Sequence, residues 1–157
     1  MPDRELLLEY QTVMQNTRVI QLYGELLAFM RETARATADL RDSWRVSAVQ
    51  PGKLEASYFT VVTPASGKRK GKYVVALLHG KLTFELWLCG TNQKALGEIR
   101  KANFPFPAEN QRPVPEEWIP FVAACWKLGD SNLLEAGAQA LAEKAEGLIC
   151  KIDESLE

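Results

Sequence analysis

Residues 72–89, KYVVALLHGKLTFELWLC, contain two mostly apolar runs separated by His79 and Gly80. Two such runs joined by a short turn are typical of a β-hairpin, and Gly80 can adopt the positive φ that a tight turn requires. With His79 and Gly80 as the loop, one surface pairs Leu77 with Leu82, Val75 with Phe84 and Tyr73 with Leu86; the other carries Val74, Ala76, Thr83, Glu85 and Trp87. The segment therefore predicts the middle of an antiparallel sheet.

The composition of the chain is that of a globular protein. Its 157 residues are 46% hydrophobic and 25% charged, which excludes a disordered chain and predicts a single domain over residues 1–157. No apolar run approaches the roughly 20 residues needed to cross a bilayer. The N-terminus, MPDRELLLEY, lacks the basic region and cleavage site of a signal peptide, so we expect a soluble, cytoplasmic protein without a membrane partner.

Charge and cysteine content exclude further classes. The net charge of −1 is too small to indicate a nucleic-acid partner. Cys89, Cys125 and Cys150 are odd in number and widely spaced, and they form no C-x-x-C unit. This pattern argues against a disulfide framework and against a structural zinc site, so we expect three reduced thiols.

The rest of the chain predicts helices on both sides of the strands. Apolar residues at helical spacing predict a short helix from about Asp3 to Gln15 and a break with a new N-cap at Asn16 and Thr17. A longer helix follows, with both helices laid on a core; one continuous helix is the alternative. Its apolar stripe consists of Val19, Tyr23, Leu26, Leu27, Met30 and Ala34.

Alternation and turn residues predict the remaining elements. Before the hairpin these are a strand over 44–48, a type II turn over 50–53, a strand over 54–63 and a polar basic loop over 64–71. After the hairpin they are a helix from Asn92 to about Asn103, an extended loop over 104–115, an edge strand over 118–128 and a helix from an N-cap at Ser131. In this last helix, Gly137 and Gly147 weaken the helix or mark close packing. The order α-α-β-β-β-β-α-β-α indicates an α+β fold, with a mainly antiparallel sheet of about five strands and helices on one face.

Three segments carry a resemblance to a known family: LYGELLAFMRE, EASYFTVVTP and KYVVALLHGKLTFELWLCGTNQK. Together they resemble an uncharacterised bacterial family that is catalogued as a domain of unknown function. The resemblance covers roughly Leu22 to Lys94. Its hairpin positions here are His79, Phe84, Glu85, Trp87, Gly90 and Asn92. It implies no activity, cofactor or catalytic residue.

The second surface of the hairpin is the candidate binding site. It presents Thr83, Glu85 and Trp87, with Tyr58 nearby, and Phe59 and Val61 of the preceding strand are expected to add to its apolar area. A face this apolar is not expected to stay exposed to water, so another part of the chain, a second copy or a ligand covers it. A carboxylate beside an indole suits a cationic ligand; a salt bridge from Glu85 to Lys72 or Arg45 is the alternative.

Other residue types give no catalytic or metal site. His79 is the single histidine and cannot form a His/Cys zinc site alone, so we expect it to bond to nearby backbone in the turn. The basic run 68–70 lacks the frame of a phosphate-binding loop and has no interleaved aromatics. Ser43 and Ser131 have no G-x-S-x-G context. We therefore predict no catalytic residue, no metal and no cofactor.

The leading hypothesis is a non-catalytic domain whose sheet face around Trp87 binds a partner protein or a second copy of the chain. One alternative is a small-ligand binder or enzyme with a pocket near Glu85 and Trp87, lined by Tyr58. Another is a nucleic-acid-associated accessory module that uses the basic loop.

Overall fold

The computed structural model describes residues 3–52, 55–101, 121–128 and 133–156. The predicted extended loop over 104–115, the start of the last strand and the N-cap at Ser131 lie outside these ranges. In chain order the elements are α1 (Arg4–Gln15), α2 (Thr17–Leu40), β1 (Arg45–Val46), β2 (Ala56–Val62), α3 (Pro64–Lys68), β3 (Gly71–Leu78), β4 (Thr83–Gly90), α4 (Gln93–Lys101), β5 (Phe121–Lys127) and α5 (Leu133–Leu156). The fold is α+β, as predicted.

All five strands form one antiparallel sheet in the order β1-β2-β3-β4-β5. Each strand pairs with its neighbours in sequence, and β5 is an edge strand as expected. The other edge strand, β1, has only two residues, fewer than the five predicted. The side chains of Trp44 and Val46 nevertheless pack against the core, as the alternation indicated.

The predicted register of the hairpin is wrong by two residues. The loop spans residues 79–82, so that Leu77 lies opposite Phe84. The residue with positive φ is Leu82 (φ 49°) and not Gly80. The carbonyl of Leu82 accepts a hydrogen bond from the backbone N–H of Leu128, the residue that follows β5. Because side chains alternate with period two, a shift of two leaves every residue on its predicted face.

The core lies between one face of the sheet and the helices α2 and α5. Its fully buried members include Met30 of α2, Leu141 and Ile149 of α5, and a row from each central strand. The strand rows are Phe59 and Val61; Tyr73, Val75 and Leu77; and Phe84, Leu86 and Leu88. The expectation that Phe59 and Val61 face the opposite side is wrong, because the pairing of Tyr58 with Ala76 turns both toward the helices.

The segment predicted as a loop over 64–71 begins with a helix, α3. Thr63 caps it: the Thr63 side chain accepts from the backbone N–H of Ser66, and the Ser66 hydroxyl bonds back to Thr63 N–H, with Pro64 in the first turn. This reciprocal cap satisfies the free N–H groups of even a short helix. The observed order is therefore α-α-β-β-α-β-β-α-β-α.

Helix boundaries in the N-terminal half follow the predicted caps. The side chain of Asn16 accepts hydrogen bonds from the N–H groups of Arg18 and Val19, which separates α1 from α2. In α5, Gly137 has φ 85° and ψ 176° and interrupts the helix. A β-carbon at Gly137 or at Gly147 would meet no atom within 4 Å, so neither glycine marks close packing.

Candidate functional site

The face of the sheet that points away from α2 and α5, called here the distal face, carries all four predicted site residues. Tyr58, Ala76 and Glu85 are aligned across β2, β3 and β4, and Trp87 pairs with Val74 in the next row. Thr83 lies one row toward the hairpin loop. Strand alternation therefore brings Tyr58, Thr83, Glu85 and Trp87 together as predicted.

Glu85 and Trp87 form a hydrogen-bonded pair along β4. The indole Nε1–H donates to Oε2 of Glu85 at 2.7 Å, and Glu85 is only 8% exposed. A donor to an ionised carboxylate gives one of the stronger kinds of hydrogen bond in proteins. No ion pair joins Glu85 to Lys72 or Arg45 in the part of the chain that the structure describes. Among the described residues, the indole is the hydrogen-bond partner that the structure gives this carboxylate.

Thr83 has a buried hydroxyl without a hydrogen-bond partner among the described residues. Its side chain is 5% exposed. Leaving such a group unpaired costs on the order of 1–3 kcal/mol, so an unpartnered hydroxyl in a folded protein requires an explanation. A bound ligand that donates to or accepts from this hydroxyl would provide one.

The middle of the distal face is already largely covered within a single chain. Val74, Ala76 and Cys89 are buried, and Tyr58 and Trp87 pack against them while remaining partly exposed. Burial raises the pKa of the Cys89 thiol to about 11, although nearby Lys72 acts in the opposite direction. A thiol with this pKa is almost entirely protonated at neutral pH and is a poor nucleophile.

The hairpin loop holds a cluster that the sequence analysis missed. Nε2 of His79 lies 2.8 Å from Oγ of Ser57, and that hydroxyl donates to the carbonyl of Pro51 at 2.9 Å. The imidazole packs against the ring of Tyr23, with centroids 5.1 Å apart. The prediction that His79 bonds to backbone through its ring is therefore wrong; the backbone N–H of His79 does donate to Glu55 O.

This cluster is not arranged for nucleophilic catalysis. Ser57 is fully buried, and the carbonyl of Pro51 can only accept its single hydroxyl proton. The tautomer in which Nε2 of His79 donates to Oγ of Ser57 is the one that satisfies both bonds. A serine nucleophile needs the opposite arrangement, with the base accepting the hydroxyl proton. Burial lowers the pKa of His79, which favours the neutral ring. The cluster joins β2, α2 and the hairpin loop.

The N-terminal helices expose a set of large apolar side chains, called here the helical overhang. Its side chains are 45–61% exposed; they are Leu6, Leu7, Tyr10, Val13 and Met14 of α1 and Val19, Ile20 and Leu22 of α2. None of the twelve residues of α1, all of them described, is buried. The expectation that α1 lies on the core is wrong, because only the later part of α2, from Leu26 onward, reaches the sheet.

The described residues contain no group of three or more His, Cys, Asp or Glu side chains placed to hold a metal ion. No helix in those ranges combines the length and apolarity needed to cross a bilayer.

The comparisons with known proteins give a family and no function. Residues 4–101, which run from α1 to α4, match the model of a family described as Domain of unknown function (DUF7000). The match includes the helical overhang, the distal-face residues of β2 to β4 and the hairpin loop. No curated protein and no solved structure is significantly similar to the chain.

Proposed function

We propose that this chain, which belongs to the DUF7000 family, is a non-catalytic domain that associates with a second copy of itself through the helical overhang. The observation that carries the proposal is a whole helix, α1, whose apolar stripe contacts no core. These apolar side chains are not buried in the single chain, and their removal from water by a partner would lower the free energy of the complex. The proposal includes a cytoplasmic location, which is supported by the lack of a disulfide bond among Cys89, Cys125 and Cys150, all three of which the structure describes.

The area of the overhang is sufficient for a stable interface. From their exposed fractions, its apolar side chains offer roughly 800 Å², which is about what one partner contributes to an interface of standard size. The distal face exposes less apolar area, because Val74, Ala76 and Cys89 at its centre are already buried in the single chain. This difference supports the overhang as the surface of association.

A second copy fits this surface better than a membrane or a charged partner. Helices that lie on membranes carry Lys and Arg on their polar face, whereas α1 has Arg4 against Glu5 and Glu9. Interfaces between identical subunits are more apolar than transient interfaces. A two-fold contact also requires only one self-complementary patch, and the overhang consists of leucine, valine, isoleucine, methionine and tyrosine.

The test is the mass in solution, measured by size-exclusion chromatography with light scattering over a wide range of protein concentration. The expected mass is twice the 17.6 kDa of one chain. The double variant Leu6→Glu/Val13→Glu places two charges on the stripe and should be monomeric. Leu134→Glu is the matched control, since Leu134 of α5 is equally exposed but lies outside the overhang, and it should remain dimeric.

Two results would contradict the proposal. A wild-type chain that stays monomeric at every concentration would remove self-association altogether. A dimer that survives the double variant would remove the overhang as its interface and return the question to the distal face around Trp87. Circular dichroism of the double variant confirms that α1, which contributes nothing to the core, can change without loss of the fold.

A second candidate function is the binding of a small cationic ligand on the distal face. The buried hydroxyl of Thr83, which has no hydrogen-bond partner in the part of the chain that the structure describes, favours it. The carboxylate of Glu85 and the indole of Trp87 would bind the cation, and Thr83 would provide a hydrogen bond. With choline as the probe, the melting temperature should rise above that in equal sodium chloride, and Glu85→Gln should abolish the rise. No rise with the wild-type protein would exclude a site for this class of cation.

A further inference from the structure

A cleft of about 510 Å³ lies where the basic segment after α3 meets the beginning of α4. Two parts of the chain that are more than twenty residues apart form its walls. The lining residues are Lys68, Arg69 and Lys70 from the first part, and Asn92, Gln93, Lys94, Ala95 and Glu98 from the second. The sequence shows the first group as a basic run but does not show that Lys94 joins it.

Hydrogen bonds hold the two walls together. The carbonyl of Lys70 accepts from both the N–H and the hydroxyl of Thr91, at 2.8 and 2.7 Å. Lys70 itself has φ 53°, a left-handed conformation that is uncommon for residues other than glycine and that costs backbone free energy. On the other wall, Asn92 Oδ1 accepts from the N–H of Ala95 at 2.9 Å. The cleft is therefore formed before any ligand binds.

The lining is strongly positive in a chain that is otherwise close to neutral. Of the described residues that line it, four are basic and one, Glu98, is acidic, whereas the net charge of the whole chain is −1. The side chains of Lys68, Lys70 and Lys94 form no ion pair or hydrogen bond with any residue of the described ranges. Like charges gathered in a concave site repel one another and raise the local concentration of anions.

We propose that this cleft binds a small molecule that carries a pyrophosphate group. Its volume lies in the range of small-molecule sites, about 300–1,000 Å³, and lysine and arginine side chains are the usual partners of phosphate oxygens. A single-stranded nucleic acid fits less well. Proteins that bind one combine an extended basic track with aromatic side chains that stack on bases, and none of the described residues that line the cleft is aromatic.

The experiment is calorimetric titration of the full chain with inorganic pyrophosphate, with inorganic phosphate and a single-stranded oligonucleotide as parallel ligands. Lys68→Gln and Lys94→Gln remove one charge from each wall, and each should raise the Kd for pyrophosphate at least about tenfold, the loss expected for one charge-assisted bond. Lys81→Gln is the matched control. Lys81 is an exposed lysine in the hairpin loop, at the other end of β3 and β4, and its loss should leave the Kd unchanged.

Each other outcome overturns the proposal. If pyrophosphate does not bind, or if Lys81→Gln weakens it as much as Lys94→Gln does, the cleft has no specific anion site. If inorganic phosphate binds as tightly as pyrophosphate, the site does not select two linked phosphates. If the oligonucleotide binds more tightly than pyrophosphate and loses affinity in the same two variants, the cleft belongs to a nucleic-acid-binding surface. Thermal unfolding of the variants, whose altered side chains are exposed, confirms that the fold is intact.

Discussion

Tyr73 shows how a polar atom is placed in the apolar core. The side chain is fully buried, and its hydroxyl donates to Oδ1 of Asp153 at 2.6 Å. Burial, followed by the hydrogen bond to this carboxylate, raises the pKa of Tyr73 far above its ordinary value. The contact joins the central strand β3 to the last turns of α5, 80 residues later in the chain.

Removal of this hydroxyl is expected to destabilise the fold. Tyr73→Phe keeps the ring in place but deletes its hydrogen bond to Asp153. A buried hydrogen bond to a charged group contributes about 1.5–3 kcal/mol to stability. The contribution is smaller here, because Asp153 is partly exposed and can bond to water. Urea denaturation should show a loss of about 1–2 kcal/mol. Tyr10→Phe, which changes an exposed tyrosine of α1, is the control, and an equal loss in both variants would contradict the assignment.

At the scale of elements, the N-caps of α1 and α2 were predictable and the geometry of the hairpin loop was not. Asp3 and Asn16 fix the ends of α1 and α2 through hydrogen bonds to residues two or three positions away, so the local sequence contains the information. The hairpin loop differs, because Leu82 takes a positive φ while its carbonyl bonds to Leu128, which is distant in sequence. A residue-by-residue preference for glycine at positive φ cannot include that contact.

The turn before β2 gives a prediction for a single element. Gly52 has φ 61°, as the type II turn requires, and a β-carbon there would collide with the carbonyl oxygen of Ala56. Gly52→Ala should therefore cost about 2 kcal/mol or more, the sum of left-handed backbone strain and a steric clash. Denaturant titration measures this loss.

Gly137 is the matched control for Gly52. Its φ is also positive, at 85°, but a β-carbon would meet no atom within 4 Å. Alanine at this position carries the strain of a backbone conformation that L residues rarely adopt, but it meets no steric clash. Gly137→Ala should therefore cost less than Gly52→Ala. Equal losses would show that the clash at Ala56 is relieved without cost.

At the scale of the whole molecule, the sequence predicts which side chains share a face of a strand or helix. It does not predict which distant segments contact that face. Alternation placed Glu85 and Trp87 correctly on one side of the sheet, because the period of a strand is a local property. The cleft between Lys70 and Lys94 and the pair of His79 with Ser57 depend on which distant segments become neighbours. The apolar stripe of α1 was also visible, but its exposure depends on where the sheet ends beneath α2.

The contacts of His79 make the stability of the molecule dependent on pH. Burial lowers the pKa of His79 below its ordinary value of 6.5, so the unfolded chain binds the proton more tightly than the folded chain does. The contribution of the neutral ring to stability is complete above pH 6.5 and is lost as the pH falls through the lower pKa of the folded state. His79 packs against Tyr23 of α2 and bonds to Ser57 of β2, and placing a charged ring in this partly buried position costs desolvation free energy.

Denaturant unfolding at one pH above 6.5 and at one pH below it tests the prediction. The free energy of unfolding should be smaller at about pH 5.5 than at about pH 7.5, and His79→Gln, which cannot be protonated, should reduce this difference. Because His79 is the single histidine of the chain, no second imidazole can account for the change. A variant with the same pH dependence as the wild-type protein would assign the effect to carboxylates and leave the hairpin loop without a role in it.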